Sequence, residues 1–230
     1  DQRTRQAWAD GARNIALVSP TGSGKTAMKT HIIKTMNLVT CSIAHRQELV
    51  LQISEAYARF GIPHRLIAPT AIVKFCVHRH MQLFGKSYYD QNSRFAVAGV
   101  QTLLRRADSI RNFLNAVQMW DIDECHHCIP DNQWGKATQL FPNAIGLGVT
   151  ATPLRCDRKP LDGVFDTLIN GPTMRDLIND GHLSEYRIFC PPVSLDMARI
   201  RTSGGSGEFV QKDVTSETDR STIVGDVVDH

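Results

Sequence analysis

Two rhythms of apolar residues alternate along this chain. Short apolar runs recur at Ile15-Ala16-Leu17-Val18, Leu38 to Ile43, Phe95 to Ala98, Ala116 to Ile122 and Ala144 to Val149. Runs this short and this apolar suit strands buried on both faces. Between them lie stretches with helical spacing. Arg46 to Phe60 carries Leu49, Val50, Ile53, Ala56, Tyr57 and Phe60 at that spacing and closes at Gly61; Ala27 to Met36 is equally compatible with a helix. Residues 1–10 read as a helix with Gly11 just past its end. Strands alternating with amphipathic helices predict an α/β fold with a mainly parallel central sheet and helices on both faces. In such sheets ligands bind at the carboxyl ends of strands.

Some stretches read two ways. Thr70 to Phe84 suits a helix, but Ile72-Val73 and Phe75-Cys76-Val77 also suit a strand. A short strand is expected around Arg65-Leu66-Ile67, a loop over 87–93, and a helix following Gly99-Val100-Gln101-Thr102, which Gln101-Thr102 could cap. Beyond Pro191-Pro192 the pattern fades. Ser203-Gly204-Gly205-Ser206-Gly207 has linker composition. The expected organisation is therefore one large lobe over 1–192, a linker or extension over 193–222, and at 223–230 the start of a truncated second lobe.

Composition adds limits. Of 230 residues, 42% are hydrophobic and 21% charged, which is ordinary for a globular domain. No run approaches the ~18 apolar residues of a membrane span, and Asp1 to Arg5 starts no signal peptide. Six cysteines without regular spacing suggest reduced thiols and an intracellular, cytoplasmic protein. The net charge of +3 hides an asymmetry. Residues 1–119 hold sixteen Lys/Arg against six Asp/Glu, and residues 120–230 hold ten against seventeen. A basic half is compatible with a polyanionic partner.

The chemistry begins at Ser19-Pro20-Thr21-Gly22-Ser23-Gly24-Lys25-Thr26. A strand, a glycine-bearing turn, Lys-Thr and then a helix is the context of a phosphate-binding loop. Backbone N–H groups at a helix N-terminus favour an anion there. Thr21 to Thr26 would cradle the phosphates, with Lys25 reaching the β- and γ-groups and the Thr26 hydroxyl on Mg²⁺. Ser19 stands where the full pattern has glycine.

Asp123-Glu124 ends another expected strand. A nucleotide hydrolase needs one carboxylate for the metal and another group to polarise water. Asp123 fits the first role and Glu124 the second. Cys125-His126-His127-Cys128 invites a zinc reading, but four consecutive ligand types cannot converge on one tetrahedral ion. Cys76, His78 and His80 would share a face if that segment were a strand, but no clear fourth ligand lies nearby. Trp8, Trp120 and Trp134 read as packing residues.

Taken in order, Ser19 to Thr26, Asp123-Glu124-Cys125-His126 and Thr150-Ala151-Thr152-Pro153 resemble motifs I, II and III of superfamily 2 helicases, with a DEAD/DEAH-like motif reading DECH. Ala44 to Leu49 resembles motif Ia and Val100 to Leu103 motif Ib. Gly148 to Arg155 has the form of the repair, phage and restriction-type branch. The resemblance covers about 1–190 and implies the N-terminal RecA-like lobe of a two-lobe motor using ATP and Mg²⁺. It implies that Gln2 reads adenine, that His126 links the nucleotide to Thr150 and Thr152, and that His45, Arg46, Gln101 and Thr102 touch the backbone of a nucleic-acid strand. It also implies a second lobe supplying arginine fingers, worth roughly 10³–10⁵ in rate. The expected activity is thus an ATP-dependent helicase or translocase, with DNA favoured over RNA and a bacterial cytoplasm, or that of a phage's host, as its place. This lobe alone is expected to hydrolyse ATP weakly. Two alternatives stand beside it: the motor subunit of a restriction-type nuclease, and a regulatory nucleotide-binding module without motor activity.

Overall fold

The computed structural model describes residues 1–153, 161–187, 197–202 and 209–218. Within them the chain runs α1 (Gln2–Ala9), β1 (Asn14–Val18), α2 (Lys25–Met36), β2 (Thr40–Ala44), α3 (Gln47–Arg59), β3 (Arg65–Ile67), α4 (Thr70–Phe84) and β4 (Phe95–Gly99). It continues through α5 (Val100–Arg106), α6 (Arg111–Ala116), β5 (Met119–Asp123), α7 (Gln133–Thr138), β6 (Ile145–Thr150), β7 (Thr167–Asn170), α8 (Met174–Asn179) and α9 (Gln211–Thr218). Seven strands form one sheet in the order β3-β4-β2-β5-β6-β1-β7, and every pairing is parallel. This is the α/β architecture that the alternation of runs predicts. No helix among the described residues is long and apolar enough to cross a membrane.

Strand alternation divides the core. Ala16, Cys41, Ile43, Ala96, Ala98, Trp120 and Ile122 pack on one side of the sheet. Ile15, Leu17, Val97, Met119, Leu147 and Val149 pack on the other. Successive side chains of a strand point to opposite faces, so a helix layer must seal each face. β2 is buried along its whole length for this reason.

Several elements depart from the sequence expectation. Thr70–Phe84 is a helix throughout. Cys76 and His80, four residues apart, are therefore buried together while His78 is exposed, and no strand face unites the three. The expected strand from Ala116 begins only at Met119, because Arg111–Ala116 closes as a helical turn first. α2 starts at Lys25, two residues before the expected Ala27. β7, α7 and α8 lack a clear apolar rhythm and were not expected. Inside the stretch read as linker, α9 forms, and Arg201 pairs with Asp213 at 2.8 Å. The glycine-rich stretch 203–207 and the apolar stretch 223–230 lie outside the described residues, as do Leu154, Arg155 and the 188–196 region that contains the expected boundary.

Register places the chemistry. Val18 pairs with Thr150, and Asp123 pairs with Val149. The carboxyl ends of β1, β5 and β6 thus lie side by side at one edge of the sheet.

Candidate functional site

The loop between β1 and α2 is shaped by two left-handed glycines, Gly22 at φ +81° and Gly24 at φ +78°. Gly24 is the residue before α2, so an unhindered backbone there aims the helix N-terminus into the loop. Three polar links hold the loop. The Ser19 amide donates to Thr150 O at 2.9 Å. The Ser19 hydroxyl bonds the Ser23 hydroxyl at 2.7 Å, a contact that glycine could not make at that position. The Lys25 ammonium donates to Ser19 O at 3.1 Å and Pro20 O at 3.0 Å. Thr21, Gly22 and Gly24 are exposed, while Ser23, Lys25 and Thr26 are half-buried. A helix N-terminus, a lysine, a hydroxyl and a nearby carboxylate are a donor set that fits a Mg²⁺-bound triphosphate.

Asp123 ends β5, and its Oδ1 accepts the Glu124 amide at 3.0 Å. Glu124 itself is left-handed, φ +51° and ψ +48°. A side chain held there costs on the order of 1 kcal/mol and is found where function needs it. The turn leads into a short 3-10 helix, Cys125–His127. His126 Nδ1 lies 2.8 Å from Thr150 Oγ1 and 3.4 Å from Glu124 Oε2. Thr150 Oγ1 also accepts the Thr152 amide at 3.1 Å. The Thr150 hydroxyl is thus at the centre of this cluster, whereas Thr152 joins it through its backbone and keeps its side chain exposed.

Behind these groups is a buried cation that sequence reasoning missed. Lys29 lies one helical turn beyond Lys25, and its ammonium is 2.9 Å from Asp121 Oδ1 and 3.9 Å from Asp123 Oδ2. Burial opposes its charge, but the Asp121 and Asp123 carboxylates outweigh that and raise its pKa. Burial also pushes Asp121 up, with Lys29 and Ser42 working against the rise. Asp121 Oδ2 accepts the Ser42 hydroxyl, and Ser42 meets the Tyr57 hydroxyl at 2.6 Å. Ser42 and Asp121 are register partners on neighbouring strands, so the sheet itself sets them side by side. The available signal was positional. Asp121 sits at an inward position of an apolar strand, and a lone carboxylate there requires a cation.

The other expected residues gather at the ends of β2 and β4. His45, Arg46, Gln101 and Thr102 border one small cavity of about 50 Å³. Arg46 and Gln101 are exposed and His45 is half-buried, but Thr102 is only 4% exposed. Thr102 lies within α5, whose first residue is Val100, so it does not cap that helix. Gln2 opens α1 and is exposed on the surface. The histidine rings at 45 and 127 both pack against Trp134.

Comparison with known proteins identifies the family and the fold. Residues 2–155 match the family described as type III restriction enzyme, res subunit. A 51.5 kDa protein of a Lactococcus phage (isolate 7-9) is 25% identical over 215 residues, covering 92% of this chain and 39% of that protein. The putative mitochondrial ATP-dependent helicase irc3 of Schizosaccharomyces pombe is 28% identical over 225 residues, covering 92% of this chain and 34% of its own. The chain thus spans well under half the length of these relatives. The crystal structure of the Hef helicase domain of Pyrococcus furiosus superposes with a TM-score of 0.55 at 18% identity, over 77% of this chain and 39% of that one. At that identity the likeness concerns the fold.

Proposed function

Because the chain belongs to the type III restriction enzyme, res subunit family, within the superfamily 2 helicases, we propose that its ATP-dependent motor lobe works on DNA and that Lys25, Thr26, Asp123 and Glu124 carry its ATPase chemistry. The observation that supports this best is the pair of bonds meeting at Thr150. The phosphate loop reaches Thr150 O through the Ser19 amide at 2.9 Å, and the DECH histidine reaches Thr150 Oγ1 at 2.8 Å. The phosphate loop and the DECH histidine are therefore both bonded to Thr150, the residue that ends β6.

In this reading the α2 N-terminus, the glycine-shaped loop and Lys25 hold the β- and γ-phosphates. Thr26 and Asp123 hold Mg²⁺, which when bound neutralises charge developing on the phosphates. Glu124, fixed by its left-handed backbone, orients the attacking water and accepts its proton. His126 ties the Glu124 carboxylate to Thr150, so a change at the phosphates reaches the third motif. His45, Arg46 and Gln101 meet the backbone of a nucleic-acid strand, which positions it without reading sequence. Thr102, nearly buried, supports that surface from beneath. Gln2 is assigned to adenine by its place in the chain. A second lobe elsewhere in the full protein completes the site with its cations, so residues 1–192 alone bind ATP and turn it over slowly. The site lies inside the cell, where ATP is.

The deciding experiment measures ATP hydrolysis by the full-length protein with single-stranded DNA, duplex DNA and RNA. Stimulation by DNA above RNA is expected. Equal rates with all three and without nucleic acid would remove the motor reading. The family description favours one second reading, a motor subunit of a restriction-type nuclease. In that case duplex DNA stimulates most, and cleavage accompanies hydrolysis.

A further inference from the structure

A chain of ring contacts, one pair stacked and two tilted, runs beside the carboxylate assigned to catalysis. Trp134 lies on His45 with ring centroids 4.3 Å apart and planes 30° from parallel. Its other neighbour is His127 at 5.0 Å, and His127 lies 4.0 Å from the His126 ring. His126 is the residue bonded to Thr150 and facing Glu124. A cavity of about 390 Å³ is bordered by His45, Arg46, Glu124 and His127 together, so the His45 and His127 rings line a space that joins the two candidate sites, with Trp134 packed against both rings.

The backbone at Trp134 is held by Asn132, which also ties it to His127. Asn132 Oδ1 accepts the Trp134 and Gly135 amides at 3.0 Å each, and Asn132 Nδ2 donates to His127 O at 2.6 Å. A Cβ at Gly135 would stand 2.1 Å from Ile129 O, so the start of α7 is pressed directly on the backbone that follows the DECH motif. The backbone that carries the indole is thus tied down. A displacement of the His45 ring meets His127 through Trp134 and also directly, at a ring-centroid distance of 6.2 Å. Close-packed interiors transmit such shifts because they offer few intermediate arrangements.

We propose that Trp134 is a positioning residue: it relays occupancy of the His45–Arg46 surface by a nucleic-acid strand, through His127, to the Glu124–His126–Thr150 cluster. The inference rests on reading His45 and Arg46 as strand contacts. Trp134 touches neither nucleotide nor strand in this scheme.

The test uses the full-length protein with ATP and an oligo-dT strand. Trp134→Ala should leave the DNA-free hydrolysis rate and the KM for ATP within about twofold of wild type. It should lower the DNA-stimulated rate by about five- to a hundredfold, the ordinary range of coupling between sites. Trp134→Phe, which keeps a ring, should recover most of the stimulation. Without ATP, the oligonucleotide should change the part of the tryptophan emission that Trp134→Phe removes. Four results overturn the relay: undiminished stimulation in Trp134→Ala, equal loss of basal and stimulated rates, no rescue by phenylalanine, or an unchanged emission. A wild-type protein whose hydrolysis ignores DNA would sink the motor reading and the relay together, whereas a stimulated wild type with an equally stimulated Trp134→Ala sinks the relay alone.

Discussion

The Lys29 ammonium stands 2.9 Å from Asp121 Oδ1, with both side chains sealed from solvent. The helix that follows the glycine-shaped loop and the strand that carries the carboxylates proposed for catalysis are therefore joined by a charge pair beneath the proposed nucleotide site. The pair also faces Asp123 Oδ2 at 3.9 Å, so it helps to fix the carboxylate assigned to the metal.

Removing one partner should be costly. Lys29→Met leaves the Asp121 carboxyl buried without its cation, which typically costs about 3–5 kcal/mol. The double variant Lys29→Met, Asp121→Leu removes both charges and leaves Ser42 and Tyr57 to bond each other, so it should be more stable than the single variant. Urea unfolding measures both. A single variant within about 1 kcal/mol of wild type would deny the pair a structural role.

The two principal site residues should separate binding from turnover. Lys25→Ala should weaken ATP binding, because it removes the cation that reaches the outer phosphates. Glu124→Gln should bind ATP like wild type and lose about a hundredfold or more in turnover, the usual contribution of a positioned general base. Nucleotide binding by fluorescence polarisation and steady-state hydrolysis distinguish the two. Wild-type turnover in either variant would refute the assignment.

Glu124 carries a stability cost for its position. Its φ of +51° is one that glycine adopts freely and a residue bearing a Cβ resists. Glu124→Gly should abolish hydrolysis yet stabilise the fold by about 1 kcal/mol, read as a rise in Tm of a few degrees. A fall in Tm would show that the Glu124 side chain contributes more than its backbone costs.

Acid should loosen the other end of the sheet. His64 is buried, and burial pushes its pKa down from 6.5 to about 4. Its Nδ1–H faces Ile62 O at 2.9 Å, and its Nε2 meets the Ser54 hydroxyl at 2.7 Å, a hydroxyl shared with His80 at 3.0 Å. Burial lowers His80 as well. Between about pH 6.5 and 4 the unfolded chain binds a proton at position 64 and the folded chain does not. The stability present above pH 6.5 is therefore lost as pH falls through that window, by up to about 3 kcal/mol for His64. Urea midpoints at pH 7.5, 5.5 and 4.5 should fall in that order. His64→Gln should flatten the slope; an unchanged slope would exclude His64 as its source.

Much of this protein is determined by sequence alone, because the signals are local. A phosphate loop is written in consecutive residues, since glycines, lysine and threonine must all touch one group of phosphates. Short apolar runs at β1, β2, β4, β5 and β6 disclose a parallel sheet, since a strand covered on both faces has no polar side. Asp123 and Thr150 could be set at strand ends for the same reason, and their meeting with the loop follows from parallel pairing. Other features needed the tertiary structure, because they depend on what lies across from a residue. The Thr70–Phe84 segment carried both periodicities, and packing against α3 decided for helix. Asp121 read as one more strand position until β2 brought Ser42 beside it and α2 lowered Lys29 onto it. Glu124 gave no hint of a left-handed backbone, and Trp134 none of its place between two histidines. Contacts between residues near in sequence leave a pattern in composition. Contacts made by register and helix packing join residues eighty or ninety positions apart, and only the fold assigns their partners.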